Sequence, residues 1–341
     1  MTDLAALSDL SAPWAVRVAP TLRLADHVAS GTDEVTALAR AVGADADALL
    51  RLLRFLACRG VFAEREPGRF ALTPAAELLR EDHPARLRRW LDQDGAGGRM
   101  DLAWPALLQA VRGGGAGYPA VFGAPFWADL DRHPALAGSF AALLGGAAEE
   151  LARELAHAYD WSGARHVVDV AGGTGALLAV LLASHPRLRG TLVELPHTAR
   201  AAAALLRERG LEGRADVVAG SAFESLPAGA DVYLLSWVLH DWPDADAARI
   251  LRRCAEAAGA RGRVVVVESA APAAPSPLVT ALDLRMLLLV GGRERTAEEY
   301  AALAAEAGLA LREVARTSLG RVVLEGRADA RASRLRAAAA S

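Results

Sequence analysis

The sequence predicts an α/β chain. A doubly wound, mostly parallel sheet with an antiparallel strand pair at its C-terminal end follows a smaller module of helices and a β-wing. Three observations carry this. From Ala164 onward, short apolar runs alternate with helical patterns, as βαβ units of a parallel sheet require. The first run, His166-Val167-Val168-Asp169-Val170, stops at Ala171-Gly172-Gly173-Thr174-Gly175 before a helical pattern begins. That order reads as strand, tight loop and helix N-terminus. Residues 14 to about 90, by contrast, read as short helices and one hairpin.

In the N-terminal module, Leu22, Leu24, Ala25 and Val28 form one apolar stripe, and Leu38, Ala41 and Val42 a second that ends at Gly43. Asp45 is placed to cap a third helix that runs through Leu49, Leu50, Leu52, Leu53, Phe55 and Leu56 and ends near Gly60. Val61-Phe62-Ala63-Glu64 and Arg69-Phe70-Ala71-Leu72 flank a Pro67-Gly68 turn, a hairpin signal. Thr73-Pro74 then starts another helix. The pattern is a winged helix. Residues 1–90 hold as many Asp and Glu as Arg, and the would-be recognition helix begins with Asp45 and Asp47. The electrostatic term that dominates DNA affinity is therefore missing. The helix faces, Leu22 to Val28 among them, are expected to pack against another subunit.

The 341 residues are 53% hydrophobic, enough for a large core and two domains. A formal net charge of -3 speaks against a nucleic-acid or membrane partner. All basic residues are arginine. Cys58 and Cys254 lie in no metal or redox spacing, which fits a reducing cytoplasm. No uninterrupted apolar run reaches membrane-spanning length, and the N-terminus lacks a signal pattern. The expected organisation is a helical module over 1–90, a helical connector over 91–160 that contributes to the substrate pocket, the α/β domain over 161–326 and a tail over 327–341. The connector carries Trp104, Tyr118, Phe122, Phe126 and Trp127. These rings either join the domains or line an aromatic substrate's pocket.

In the α/β domain, strands are expected at 166–170, 190–194, 215–219, 231–236 and 263–268. Helices fill the gaps at about 175–185, 197–209 and 244–259. Thr296 caps a helix through Ala307, with Glu298 and Glu299 in its first turn. Leu311–Ala315 and Arg321–Leu324 form the antiparallel pair.

The glycine loop is where a Rossmann-like sheet holds a nucleotide-type cofactor, since a Cβ would block the approach. After Gly173 and Gly175 the third dinucleotide-fingerprint position is Leu178. The spacing suits S-adenosylmethionine (SAM), which has no pyrophosphate to approach. Glu194 ends the second strand, placed for ribose hydroxyls. The plain alternative is an ordinary glycine-rich turn.

Tyr233-Leu234-Leu235-Ser236-Trp237-Val238-Leu239-His240-Asp241-Trp242-Pro243 carries the second signal. His240 follows a strand's carboxyl end, the side on which open α/β sheets bind ligands. Glu268 ends another strand, and Glu294 precedes a helix. Two carboxylates beside one imidazole fix its tautomer and favour its charged form. Taken singly, these are a loop histidine, an arginine partner and a helix-end acid.

From Ala12-Pro13-Trp14 to about Glu325 the chain resembles the SAM-dependent O-methyltransferases of bacterial aromatic-polyketide pathways. These are similar to the plant caffeic acid and flavonoid O-methyltransferases. The motifs that carry the resemblance are Asp169 to Gly175, Leu195 after Glu194, His240-Asp241-Trp242, Asp283-Leu284-Arg285-Met286 and Gly291-Gly292-Arg293-Glu294-Arg295-Thr296. It implies a Rossmann-like class I methyltransferase domain behind a winged-helix dimerisation domain, and a homodimer. It also implies His240 as general base flanked by Glu268 and Glu294, with Met286 on the acceptor ring. Asp241, Phe126 and Trp127 are further expected on the substrate side. Asp169, Ala171, Gly172, Gly173, Gly175, Glu194, Ser221, Ala222 and Ser236 are expected at the cofactor. Three positions depart from the family pattern. Ala171 replaces a glycine, Ser221 replaces the acid that holds the adenine amino group, and Ser236 replaces the plant enzymes' lysine.

The expected activity is methylation of a phenolic hydroxyl on a small aromatic, polyketide-like secondary metabolite, by a cytoplasmic enzyme without a metal. Two rivals remain. One is the same fold turned to SAM-assisted hydroxylation, decarboxylation or cyclisation. The other is a winged-helix regulator that senses a metabolite.

Overall fold

The computed structural model describes residues 3–270, 276–318 and 320–328. It forms two compact units, Met1–Leu102 with His133–Leu143, and Ala103–Arg132 with Leu144–Ser341. The stretch 91–160, expected as one connector, is thus shared between the units. The tail from residue 329 lies outside the described residues.

In the first unit, helices Ser11–Thr21, Leu24–Ala29, Val35–Val42 and Ala46–Cys58 precede a hairpin of β1 (Phe62–Glu66) and β2 (Arg69–Leu72). The expected caps are present. Asp45 accepts from the Ala48 amide, and Gly43 ends its helix at φ 66°. The stripe Leu22–Val28 is not one helix. Arg23 takes a left-handed φ of 54° and separates two helices. Leu24 and Ala25 are fully buried among Leu38, Leu53, Leu56, Phe62 and Phe70. They fill this unit's own core and present no free face. The most exposed large apolar side chains here are instead Leu4, Leu7 and Leu10, at 76%, 71% and 67%.

The second unit is built on a seven-stranded sheet of β3 (His166–Val170), β4 (Arg189–Glu194), β5 (Ala215–Ala219), β6 (Val232–Ser236), β7 (Arg263–Ser269), β8 (Leu309–Arg316) and β9 (Arg321–Ala328). Its order is β5-β4-β3-β6-β7-β9-β8. The first five strands pair in parallel, and β9 joins β7 and β8 antiparallel. β3 lies between β4 and β6, so the order reverses there and a crevice opens outside the strands' carboxyl ends. Valines of β3, β6 and β7 are fully buried on both faces, as a parallel sheet covered by helices demands.

Two helices have no bounds from the sequence, although the connector is expected to be helical. Pro134–Ala158 is one helix of 25 residues, long and apolar enough by length and composition to cross a membrane. It carries Glu149, Glu150, Arg153 and Glu154, and Leu151, Ala152, Leu155 and Ala156 pack into the second unit's core beside Leu178 and Leu181. Pro277–Val290 is a helix capped by Ser276, whose side chain accepts from the Val279 amide.

Candidate active site

At the crevice, Asp169 and Ser236 sit near the carboxyl ends of the adjacent strands β3 and β6. Asp169 is 1% exposed, and neither carboxylate oxygen has a protein partner. Burial pushes its carboxyl up to about 7, and Glu194 adds to the shift. A Cβ on Gly172 would run into that carboxylate. Gly173 and Gly175 have φ of 60° and 76°. Glu194 holds the loop, with one oxygen accepting from the Gly173 amide at 2.9 Å and the other from Leu195 at 2.7 Å. Ala171 and Trp237 both take φ 55°, a left-handed conformation that costs about 1–2 kcal/mol for a residue with a Cβ. The family's glycine at position 171 has its reason here. Asp169, Gly172, Leu177, Ser236 and Trp237 line a small cavity. Ser221 and Ala222 follow β5, and the Ser221 hydroxyl accepts from the Phe223 amide at 3.3 Å.

An unpaired buried carboxylate beside a glycine cradle is what a cationic, nucleoside-like cofactor would complete. SAM brings an ammonium, a sulfonium and two ribose hydroxyls, so the residues present fit it.

The second constellation centres on His240, in a 3-10 turn, Leu239–Asp241. Its Nδ1 lies 2.9 Å from Glu294 Oε1 and 4.0 Å from Glu268 Oε2, and its Nε2 lies 3.4 Å from Asp241 Oδ1. Glu268 is fully buried, and its Oε1 accepts from the Val238 and Leu239 amides at 3.0 and 2.8 Å. Burial raises the Glu268 carboxyl, against the pull of His240. Burial alone would lower the imidazole. Asp241, Glu268 and Glu294 outweigh it and push His240 up to about 10. The charge of Arg321 also acts on Glu268 and Glu294.

The turn is clamped by a residue the sequence reading left without a role. Arg295 is 1% exposed. Its guanidinium donates to the Leu239 carbonyl at 2.9 Å, the Trp242 carbonyl at 2.8 Å and Asp244 Oδ1 at 2.7 Å. It thereby grips both ends of the turn that carries His240. The Arg293 amide donates to the His240 carbonyl at 2.9 Å, and a Cβ on Gly292 would collide with that oxygen. Ala270, just past β7, bridges to Arg295. Glu294 is fixed in turn, its amide donating to Asp283 Oδ1 at 2.8 Å. The paired glycines of Gly291-Gly292 were the one available sign of this close approach.

Met286 is half-buried on Pro277–Val290, a helix that packs against the His240 turn. Phe126 is buried, with its ring edge-on to Tyr118 at 5.2 Å and to Trp127 at 5.0 Å.

Residues 104–310 match the O-methyltransferase domain family, and residues 5–82 match the O-methyltransferase dimerisation domain. The chain belongs to the O-methyltransferase family. A 2,7-dihydroxy-5-methyl-1-naphthoate 7-O-methyltransferase of Streptomyces carzinostaticus is 49% identical over 309 residues, covering 91% of this chain and 92% of that one. An aclacinomycin 10-hydroxylase of Streptomyces purpurascens is 46% identical over 311 residues, covering 89% and 83%. An O-methyltransferase of neocarzinostatin biosynthesis, solved with SAM and 2-hydroxy-5-methyl naphthoic acid, superposes with a TM-score of 0.90. It is 46% identical and covers 96% of this chain and 99% of its own. Within the family, the fold expected from the sequence is the fold observed.

Proposed function

We propose that the protein methylates a phenolic hydroxyl of a small aromatic, polyketide-like secondary metabolite. SAM is the methyl donor and supplies an electrophilic methyl group on sulfur when bound. Asp169, Gly172, Gly173, Gly175 and Glu194 hold it, with Ser221 and Ala222 toward the adenine and Ser236 beside Asp169. Glu194, once turned from the loop amides, receives the ribose hydroxyls. His240 acts as general base toward the phenol. Glu294 on Nδ1 sets its tautomer and orientation, and Glu268 fixes the turn from below. Met286 bears on the acceptor ring, with Asp241, Phe126 and Trp127 on the substrate side. Holding oxygen, methyl and sulfur in line supplies much of the acceleration.

The observation that carries this reading is the 2.9 Å contact between His240 Nδ1 and Glu294 Oε1 at the carboxyl end of the sheet. An unperturbed imidazole near ~6.5 is a poor match for a phenol near ~10. The acids around it push His240 up to about 10, toward the phenol, which lessens the uphill cost of the proton transfer. The intact His240–Glu294 pair favours methyl transfer over hydroxylation, despite the hydroxylase relative. Incubation with SAM and hydroxynaphthoates, read by mass, tests it.

The dimerisation-domain match over residues 5–82 supports a homodimer. So do the exposed Leu4, Leu7 and Leu10, which a second copy would cover. The relatives' biosynthetic roles support a cytoplasmic enzyme, and the net charge of -3 supports the reading that neither nucleic acid nor membrane is a partner. Sedimentation at micromolar concentration should give a dimer, and a monomer from active protein would exclude it.

A further inference from the structure

The three acids that match His240 to a phenol also create a difficulty. Both ring nitrogens face carboxylate oxygens, Nδ1 toward Glu294 and Glu268, and Nε2 toward Asp241. A neutral imidazole donates from only one nitrogen, whereas imidazolium donates from both. Its three acids also push the imidazole up to about 10, so near neutrality the resting ring is the cation, and a cation cannot take a second proton. Either the resting proton leaves first, or it moves to a neighbour.

The surroundings show which neighbour. Glu294 holds Nδ1 through Oε1 at 2.9 Å, and its Oε2 is buried without a hydrogen-bond partner, but this carboxyl serves Nδ1 and not Nε2. One Glu268 oxygen is committed to two backbone amides, and the other stands 4.0 Å from Nδ1. Of the cations nearby, Arg321 acts on Glu294 and Glu268 through its charge. Arg295 is spent on the Leu239 and Trp242 carbonyls and Asp244, and Arg321 of β9 stacks on the Trp237 ring at 4.5 Å. Asp283 of Pro277–Val290 accepts from the Glu294 amide, and Tyr300 lies in the helix beyond Thr296. Asp241 alone faces Nε2, the nitrogen that the phenol must address. Their 3.4 Å separation is longer than a settled charged hydrogen bond of about 2.7–2.9 Å, so an entering hydroxyl can displace it.

Resting on the methyl-transfer reading, we propose that Asp241 is the proton-holding partner of His240, taking the imidazole's resting proton so that Nε2 is free to accept the phenol's. The steps balance. The Nε2–H bond breaks and an O–H bond forms on Asp241, leaving the lone pair on Nε2. The phenol O–H bond then breaks toward Nε2 as its oxygen bonds the methyl carbon, and the carbon–sulfur electron pair stays on sulfur. The pair now holds two protons, and one goes to solvent as product leaves. Asp241 thus acts through His240 as a positioning residue for a proton. Its buried carboxyl suits the task, because burial pushes it up to about 7, opposed by His240 and helped by Glu268 and Glu294.

The singly protonated pair is the working form, so kcat/KM should rise with pH as the pair loses its first proton, near neutrality. Two measurements test this on the full-length protein. Nitrogen-15 imidazole spectra of the ligand-free chain should show His240 responding in two steps, one where Asp241 titrates and one well above. In Asp241→Asn the lower step should vanish, and the imidazolium should lose its proton below the wild-type upper step, because one acid is gone. The acid limb of kcat/KM should nonetheless move up by about one pH unit or more, since His240 must now lose its own proton to solvent. Turnover near neutrality falls about tenfold and returns on the alkaline side. A one-step wild-type titration would overturn the proposal even if the variant did not fold. So would an acid limb that stays or moves down, or a rise in acceptor KM alone, which would make Asp241 only a substrate contact. A wild type that shows both titration steps yet methylates no phenol would instead remove the methyl-transfer reading and leave the shared proton standing.

Discussion

At β3 and β4 the site leaves its acids open, whereas at β6 and β7 it closes them on one another. Asp169 is buried with neither oxygen partnered, and Glu194 is lent to loop amides. The loop between them holds a left-handed alanine. On the proposed reading, this half would receive a charge and hydroxyls that arrive with the ligand. Around His240 the protein supplies both signs itself, with Asp241, Glu268 and Glu294 about one imidazole and Arg295 clamping the turn. That half is pre-organised before anything binds. The difference separates binding from chemistry, so substitutions in the first half should change affinity and those in the second should change turnover.

The largest effect expected is at His240. His240→Ala should lower kcat about 10²–10⁴-fold with little change in SAM affinity. Near-normal turnover in a variant with an intact melting transition would sever the base from the chemistry. Next comes Arg295. Arg295→Lys loses the fork that holds both ends of the turn, and a misplacement near 1 Å can cost roughly 10²-fold in kcat. SAM affinity, measured by calorimetry, should hold, and a loss confined to SAM binding would place Arg295 in the wrong half.

On the binding side, Glu194→Ala should weaken SAM binding by about 1.5–3 kcal/mol, as expected for a lost charged hydrogen bond, with kcat at saturating SAM little altered. Unchanged titration isotherms would move the ribose elsewhere. The smallest effect is at Ala171. Ala171→Gly relieves a left-handed Cβ worth about 1–2 kcal/mol but loosens the unfolded chain by about 0.5–1 kcal/mol. Net stabilisation should be under about 1.5 kcal/mol, visible as a small rise in Tm. A fall would show that the alanine methyl contributes packing that outweighs its strain.

The halves also differed in how legible they were. The open half is local: a valine run, an acid and a glycine cluster are contiguous, and Glu194 lies one βα unit on. Strand ends from β3 to β7 could be read within a residue or so, because β-branched runs and glycines mark them. The closed half showed His240, Glu268 and Glu294 only as acids and a base at strand ends. Arg295 was invisible, since an arginine among charged neighbours reads as surface, and its partners lie more than fifty residues away in sequence. The helix Pro277–Val290 has no polar face, so it lacked the periodicity that announces a helix. In the first unit, the stripe Leu22–Val28 concealed the break at Arg23, because apolar spacing does not report a left-handed residue.

The central claim is that the His240 cluster removes the proton of a phenolic hydroxyl as the oxygen takes a methyl group from SAM. The most direct measurement incubates the protein with SAM and a panel of hydroxynaphthoates, with mass and nuclear magnetic resonance analysis of the products alongside His240→Ala. A product heavier by one methyl on a ring oxygen, formed by the wild type and nearly absent with the variant, is the predicted result. A product that gains a hydroxyl or loses a carboxyl, or one formed equally by the variant, would contradict it.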